Sequence, residues 1–136
     1  PTMTHNVLET AAALFAAIES GQPAGVAALY ADDVAVWHNI SNRTQDKSEN
    51  LRTLEGLIGS AAAIRYDVIE RRLLDPDRVL QRHNLVVTTR NGATFVIPAC
   101  IFVTVQDGRI VRIDEYLDTG QANALRQASG RERIAG

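Results

Sequence analysis

The hydrophobic period of this chain changes once, near its middle, and that change bounds the fold. Leu8, Ala11, Ala12, Phe15 and Ile18 recur at i, i+3, i+4, i+7 spacing, which marks one buried helix face. Residues 5–20 read as a helix ended by Gly21. Pro23 suits the first turn of a second, short helix, which carries Val26, Leu29 and Tyr30 inward and stops near Ala31. Residues 34–38 read as a strand, 39–46 as a polar loop, and 47–60 as a third helix with Leu51, Leu54, Leu57 and Ile58 on one face. From residue 64 onward Val, Ile, Thr and Arg take over with alternation. Four strands are expected, over 64–74, 78–90, 94–105 and 110–118. Asp75-Pro76-Asp77 separates the first two, and Asn91-Gly92 and Asp107-Gly108 are hairpin signals for the others. Residues 121–127 read as a short terminal helix. Helices first and a strand meander after them predict an α+β fold in the order α-α-β-α-β-β-β-β, with helices covering one face of a curved antiparallel sheet.

Composition narrows the function classes. At 136 residues the chain predicts a single domain over 1–136. Fourteen basic against 16 acidic residues leave a net charge of −2, and acids are interleaved with the arginines. That balance argues against nucleic acid or an anionic membrane as partner, since both favour a basic face. Three His and one Cys are too few for a tetrahedral zinc site, and Cys100 has no partner for an intrachain disulfide. No metal and no cofactor are expected. No apolar run is long enough for a membrane span, and residues 1–6 carry no basic leader, so a soluble cytoplasmic protein is expected.

Tyr30-Ala31-Asp32-Asp33 precedes the first strand, and Asp107-Gly108-Arg109-Ile110 leads into Asp114-Glu115-Tyr116-Leu117-Asp118. These motifs, with the element order and lengths, resemble the nuclear-transport-factor-2-like superfamily over nearly the whole chain. Its members include ketosteroid isomerase, limonene epoxide hydrolase and the SnoaL-like polyketide cyclases. The resemblance implies a cone-shaped sheet wrapped around a pocket that the N-terminal helices close. It also implies an inward register: Val36 and His38 on the first strand, Arg82, Asn84, Val86 and Thr88 on the third, Ile97, Ala99, Ile101 and Val103 on the fourth, and Ile113, Glu115 and Leu117 on the last. A one-residue slip would turn every one of these side chains to the other face.

The inward set is aliphatic except for His38, Arg82, Asn84 and Glu115, and an apolar cavity with a few convergent polar groups is the form of a small-molecule site. His38 matches the position of the isomerase's aspartate base. The isomerase's two oxyanion donors match Leu14 and Ile101, which cannot donate, so steroid isomerisation by that mechanism is not expected. The hydrolase's Asp–Arg–Asp set matches Glu115, Arg82 and Asn84, of which Asn84 cannot act as the acid, and its water-holding tyrosine and asparagine match Val36 and His38. The cyclases' pocket acid matches Glu115. Together these predict a cofactor-independent acid–base enzyme on a small, largely apolar, oxygenated molecule. His38 and Glu115 exchange protons, Arg82 fixes Glu115 and Asn84 orients. Val36, Leu54, Val86, Thr88, Ile97, Ile101, Ile113 and Leu117 form the substrate-binding wall.

The alternatives are a non-catalytic small-ligand carrier or a protein-interaction module of the same fold. In that case His38 is a hydrogen-bonded strand-end residue and Arg82–Glu115 an ion pair without catalytic duty. His83, next to Arg82, falls on the outer face in this register, as do Trp37, Cys100, Phe102 and Tyr116. Superfamily members dimerise through that face, and a homodimer is expected there. Asp114 and Asp118 flank Tyr116 as surface or interface groups, and His5 belongs to the terminus.

Overall fold

The helical spacing of the first half and the alternation of the second appear as separate layers in a computed structural model, which describes residues 3–129 and side chains from Val7 onward. The elements are α1 (Met3–Glu19), α2 (Pro23–Leu29), β1 (Tyr30–His38), β2 (Arg43–Gln45), α3 (Lys47–Ser60), β3 (Ala61–Asp75), β4 (Arg78–Thr89), β5 (Thr94–Gln106), β6 (Arg109–Leu117) and α4 (Thr119–Ala128). This is the α+β order expected, with one addition: β2 lies inside the segment read as loop. Among the described residues the strands form one sheet in the order β2-β1-β6-β5-β4-β3, with β1 and β6 parallel. Val7, Ala11, Leu14, Phe15 and Ile18 of α1 are buried against Val36, Val79, Ile101, Val103 and Ile113 of the sheet. Asp46 starts α3 with a capping box: its carboxylate accepts from the Glu49 backbone N–H, and the Glu49 side chain accepts in return from the Asp46 N–H. The side chain of His5 lies outside the described residues.

The two Gly-containing hairpins differ, and the difference sets which side chains reach the interior. At Asp107-Gly108 both residues are left-handed (φ 53° and 75°), so Gln106 faces Arg109 across a two-residue loop. At Asn91-Gly92 only Gly92 is left-handed (φ 92°), Gly92 N–H donates to Thr89 O at 3.0 Å, and Thr89 N–H donates to Ala93 O at 2.8 Å. That is a type I turn closed by a glycine bulge, with residues 90–92 in the loop. A two-residue loop would set Arg82 opposite Ile101; the observed partners are Arg82 with Cys100 and His83 with Ala99.

The inward register expected for the strand at 78–90 is therefore corrected by one residue. Gln81, His83, Leu85 and Val87 face the interior, buried opposite Ile101, Ala99, Ile97 and Phe95. Arg82, Asn84, Val86 and Thr88 lie on the other face. Arg82 is half-exposed and donates to Glu70 at 2.9 Å. Asn84 lies between Asp67 and Pro98, Val86 lies between Arg65 and the exposed Val96, and Thr88 meets Thr94 at 3.3 Å.

The expected register holds on β5 and β6, with the help of a bulge. Val105 pairs with Ile110 but Thr104 pairs with Arg112, so Val111 is an extra residue. Ile110 and Glu115 are an odd number of residues apart and still face the same side.

Among the described residues nothing packs within 4 Å of a Cβ built on Gly92, so the cost of adding one is that of the backbone alone. Gly92→Ala should lower stability by about 1–2 kcal/mol, the cost of a left-handed non-glycine residue. An unchanged urea midpoint would contradict the turn assignment.

Candidate active site

His38 closes β1 and Glu115 stands beside it on β6 as its register partner. Neighbours in a parallel pair present side chains to the same face. His38 Nε2 lies 3.2 Å from Glu115 Oε1, with side chains only 12% and 16% exposed. Asn39 locks this end of the pair. Its backbone N–H donates to the Glu115 carbonyl at 3.0 Å, and its side chain accepts from Leu117 N–H at 2.9 Å and donates to the Leu117 carbonyl at 3.2 Å. An amide side chain thus continues the ladder one step past the strand's end.

The pair borders a cavity of about 100 Å³. Leu54 and Leu57 of α3, Leu85, Ile97 and Leu117 of the sheet and Leu125 of α4 supply its apolar wall, and Tyr66 stands beside the polar end. Of the wall residues expected, Leu54, Ile97 and Leu117 line this space. Val36, Ile101 and Ile113 face inward but belong to the core beneath it. Val86 and Thr88 are on the opposite face of the sheet, and neither Arg82 nor Asn84 reaches Glu115. The structure brings together His38 and Glu115 and leaves the other two polar candidates outside.

Opposing influences set the charge of Glu115. Burial pushes its carboxyl up. The hydrogen bond from His38 and the electrostatic pull of His38 and His83 bring it down, and the balance falls below the ordinary 4.5. The group is a carboxylate at neutral pH. It accepts from His38 Nε2–H, and Nδ1 is the ring's other nitrogen. That Nδ1 is buried without a partner among the described residues.

A second polar layer ties α3 to the sheet. Tyr30 donates to Asn50 Oδ1 at 2.6 Å, Asn50 Nδ2 donates to Gln45 Oε1 at 2.9 Å, and Gln45 Nε2 donates to Thr53 Oγ1 at 2.9 Å. Burial raises the Tyr30 phenol far above its ordinary range. Asn50 and Thr53 also touch the cavity. On the outer face Trp37 packs edge-on against Tyr116 at 4.9 Å, and Phe102 does so at 6.5 Å. Asp114 binds Arg112 there at 2.8 Å, and Asp118 caps α4 by accepting from Gly120 N–H at 3.1 Å. Cys100 is partly buried, and burial pushes its thiol up. Among the described residues no three His, Cys, Asp or Glu side chains gather as metal ligands, and no helix is long and apolar enough to cross a membrane.

The family model of the SnoaL-like domain matches residues 11–113. The chain belongs to this family. No curated protein matches it. Solved structures share the fold of this SnoaL-like domain. PrhC from Penicillium brasilianum superposes with a TM-score of 0.81 at 15% identity, over 94% of each chain. An M. tuberculosis LEH-like epoxide hydrolase gives 0.74 at 16%, over 93% of this chain and 98% of its own. An NTF2-like protein of unknown function from Burkholderia pseudomallei gives 0.75 at 20%, over 88% and 96%. At these identities the likeness is one of fold.

The SnoaL-like domain also has interior polar residues that sequence reasoning missed. Tyr66, Gln81 and His83 all hang on the β4 register. Once residues 90–92 form the loop, alternation puts Gln81, His83 and Leu85 inside. Tyr66, opposite Leu85, follows them. The signal available was the run of β-branched and apolar residues at odd positions, Val79, Leu85 and Val87, which is a better buried stripe than Arg82 and Asn84.

His83 is buried, and its pKa is below the ordinary 6.5: burial lowers it, Glu115 raises it, and Arg71 lowers it further. Between the folded value and 6.5 the unfolded chain binds more protons, so stability falls as pH drops through this window. Urea midpoints measured from about pH 7.5 to 5 should show that slope, and His83→Asn should flatten it. An equal slope in both proteins would contradict burial of a neutral His83.

Proposed function

We propose that this SnoaL-like domain is a cofactor-free acid–base enzyme for a small, largely apolar, oxygenated molecule. One observation carries the proposal: an ionised carboxylate, held by a histidine, stands on the wall of a largely apolar cavity. Ionised Glu115 is the base. It takes a proton from carbon beside a carbonyl, and His38 holds the carboxylate in place through Nε2–H. Returning that proton at another atom completes an isomerisation or a ring closure. The cavity is of the same order as the roughly 150 Å³ hole that accepts benzene, so the reacting part of the ligand is about one ring in size.

Epoxide opening is the weaker form of this reading. It needs an acid facing the base across the epoxide, and Arg82 and Asn84, the residues matched to that arrangement, lie outside. The likeness to an epoxide hydrolase supports the class of small, oxygenated ligands. The family match supports carbonyl chemistry of the cyclase kind.

The reading includes a homodimer. Tyr116 is 50% exposed and packs with Trp37 and Phe102 on the outer face, an aromatic patch suited to the centre of an interface. Tyr116→Arg should convert a dimer to a monomer in sedimentation velocity at neutral pH. A wild-type monomer at high concentration would contradict this assignment.

Exchange of the α-protons of small cyclic ketones and enones in deuterated water tests the chemistry without a known substrate. Glu115→Gln and His38→Ala should each slow enzyme-dependent exchange at least about 10²-fold, the low end for general acid–base catalysis. Arg82→Ala should leave it unchanged. Ketones that bind with no exchange would identify a carrier instead.

A further inference from the structure

The acid–base pair leaves one polar chain unused, which runs from exposed Arg71 to buried His83. Arg71 of β3 donates from Nε to Gln81 Oε1 at 2.6 Å, and Gln81 Nε2 lies 2.9 Å from His83 Nδ1. Arginine has only donors, so it turns the amide oxygen toward itself and the amide NH₂ toward His83. His83 Nδ1 must then accept. A neutral imidazole carries one ring proton, which this arrangement assigns to Nε2. Adding a second proton would set two donors face to face beside the charge of Arg71. The ring is also enclosed edge-on by Phe15 at 5.6 Å and Tyr66 at 4.9 Å. His83 is therefore a neutral donor of fixed tautomer.

That donor has no acceptor among the described residues. His83 is 1% exposed, and its Nε2 is buried with no partner among the described residues. Such a group is costly to leave unpaired, and each instance in a folded protein calls for an explanation. Nε2 is the ring nitrogen farther from the backbone, and β4 presents His83 to the interior, against the wall residue Tyr66 and just outside the cavity's own lining, so a ligand oxygen reaches Nε2 only past that ring. Tyr66 packs on His83 and lines the cavity with Glu115, and Glu115 and His83 influence each other's ionisation. The charged groups facing His83 are Arg71 and Glu115, and Tyr66 is the other titratable neighbour.

We propose that His83 is the oxygen-recognition group of this site: a neutral Nε2–H donor to the carbonyl oxygen of the molecule whose proton Glu115 takes. The inference rests on the acid–base reading for the reaction, while the donor itself follows from geometry. In the step, the Glu115 carboxylate removes the α-proton. The C–H electron pair moves into an enolate, and His83 Nε2–H holds the charge that gathers on oxygen. Protonated Glu115 then returns the proton to carbon. A neutral imidazole suits this duty, because it stabilises the oxygen without handing it a proton outright. Gln81 and Arg71 are positioning residues that act through the tautomer.

Nitrogen-15 NMR of the histidines at neutral pH, with cyclohexanone and the oxygen-free methylcyclohexane as probes, tests the proposal. Without ligand, His83 Nδ1 should be bare and Nε2 protonated. Both probes should shift the methyls of Leu54 and Leu57, but only cyclohexanone should shift the Nε2–H signal. His83→Asn keeps an acceptor for Gln81 and loses the distal donor. It should weaken cyclohexanone binding about 3- to 10-fold, the range of one hydrogen bond, and leave methylcyclohexane binding unaltered. His83→Gln restores a distal N–H and should recover most of the loss. A proton on Nδ1, a charged ring, equal responses to the two probes, or a ketone that never enters the cavity overturns the proposal. A water still held at Nε2 when cyclohexanone is bound also overturns it. If cyclohexanone binds as described and its α-protons do not exchange, the acid–base reading fails and His83 remains a binding donor. If exchange depends on Glu115 while His83 ignores the ketone oxygen, only the role of His83 fails.

Discussion

A carboxylate on an apolar wall is the constraint around which this protein is arranged. Removing such a charge from water costs several kcal/mol, and the cost must be offset where the charge sits. His38 does this at 3.2 Å from Glu115. It is available because β1 runs parallel to β6 and ends level with Glu115. Asn39 then pins the two strand ends together through three hydrogen bonds. The result is an ionised carboxylate with limited access to solvent, whose proton affinity His38 holds below the ordinary value.

Two backbone irregularities deliver the side chains to that interior. The extra residue at Val111 turns the end of β6 so that Glu115 shares a face with Ile110. The three-residue loop after β4 brings His83 and Gln81 in and sends Arg82 and Asn84 out. Neither irregularity changes the fold, and together they choose which polar groups face the interior. Stability and chemistry are separable here: α1 and the aliphatic faces of the sheet build the core, while bulge and loop length choose the site.

Most of the fold was legible because long periodic segments carry a strong signal. The spacing of Leu8 to Ile18, the Leu-rich face of α3 and the two hairpin glycines placed nearly every element. β2 was not legible, since Arg43–Gln45 is short and polar and owes its strand form to pairing with β1. His38 and Glu115 were legible as partners through the family resemblance, and β5 and β6 kept their expected faces. The β4 residues were not. Asn-Gly is compatible with both a two-residue and a three-residue loop, and the choice moves every side chain of the strand by one face. The family register places Arg82 in the pocket as the match to the hydrolase's arginine, while the aliphatic stripe of Val79, Leu85 and Val87 favours the opposite register.

The most direct test of the central claim is the titration of the Glu115 carboxyl, followed by carbon-13 NMR in the wild type and in His38→Leu. The account predicts a wild-type value below the ordinary 4.5, because His38 outweighs burial. It predicts a value above 4.5 in the variant, where burial acts with little opposition. A wild-type carboxyl that titrates at or above its ordinary value, or one that does not move when His38 is removed, would show that the two residues are not the coupled pair on which the site depends.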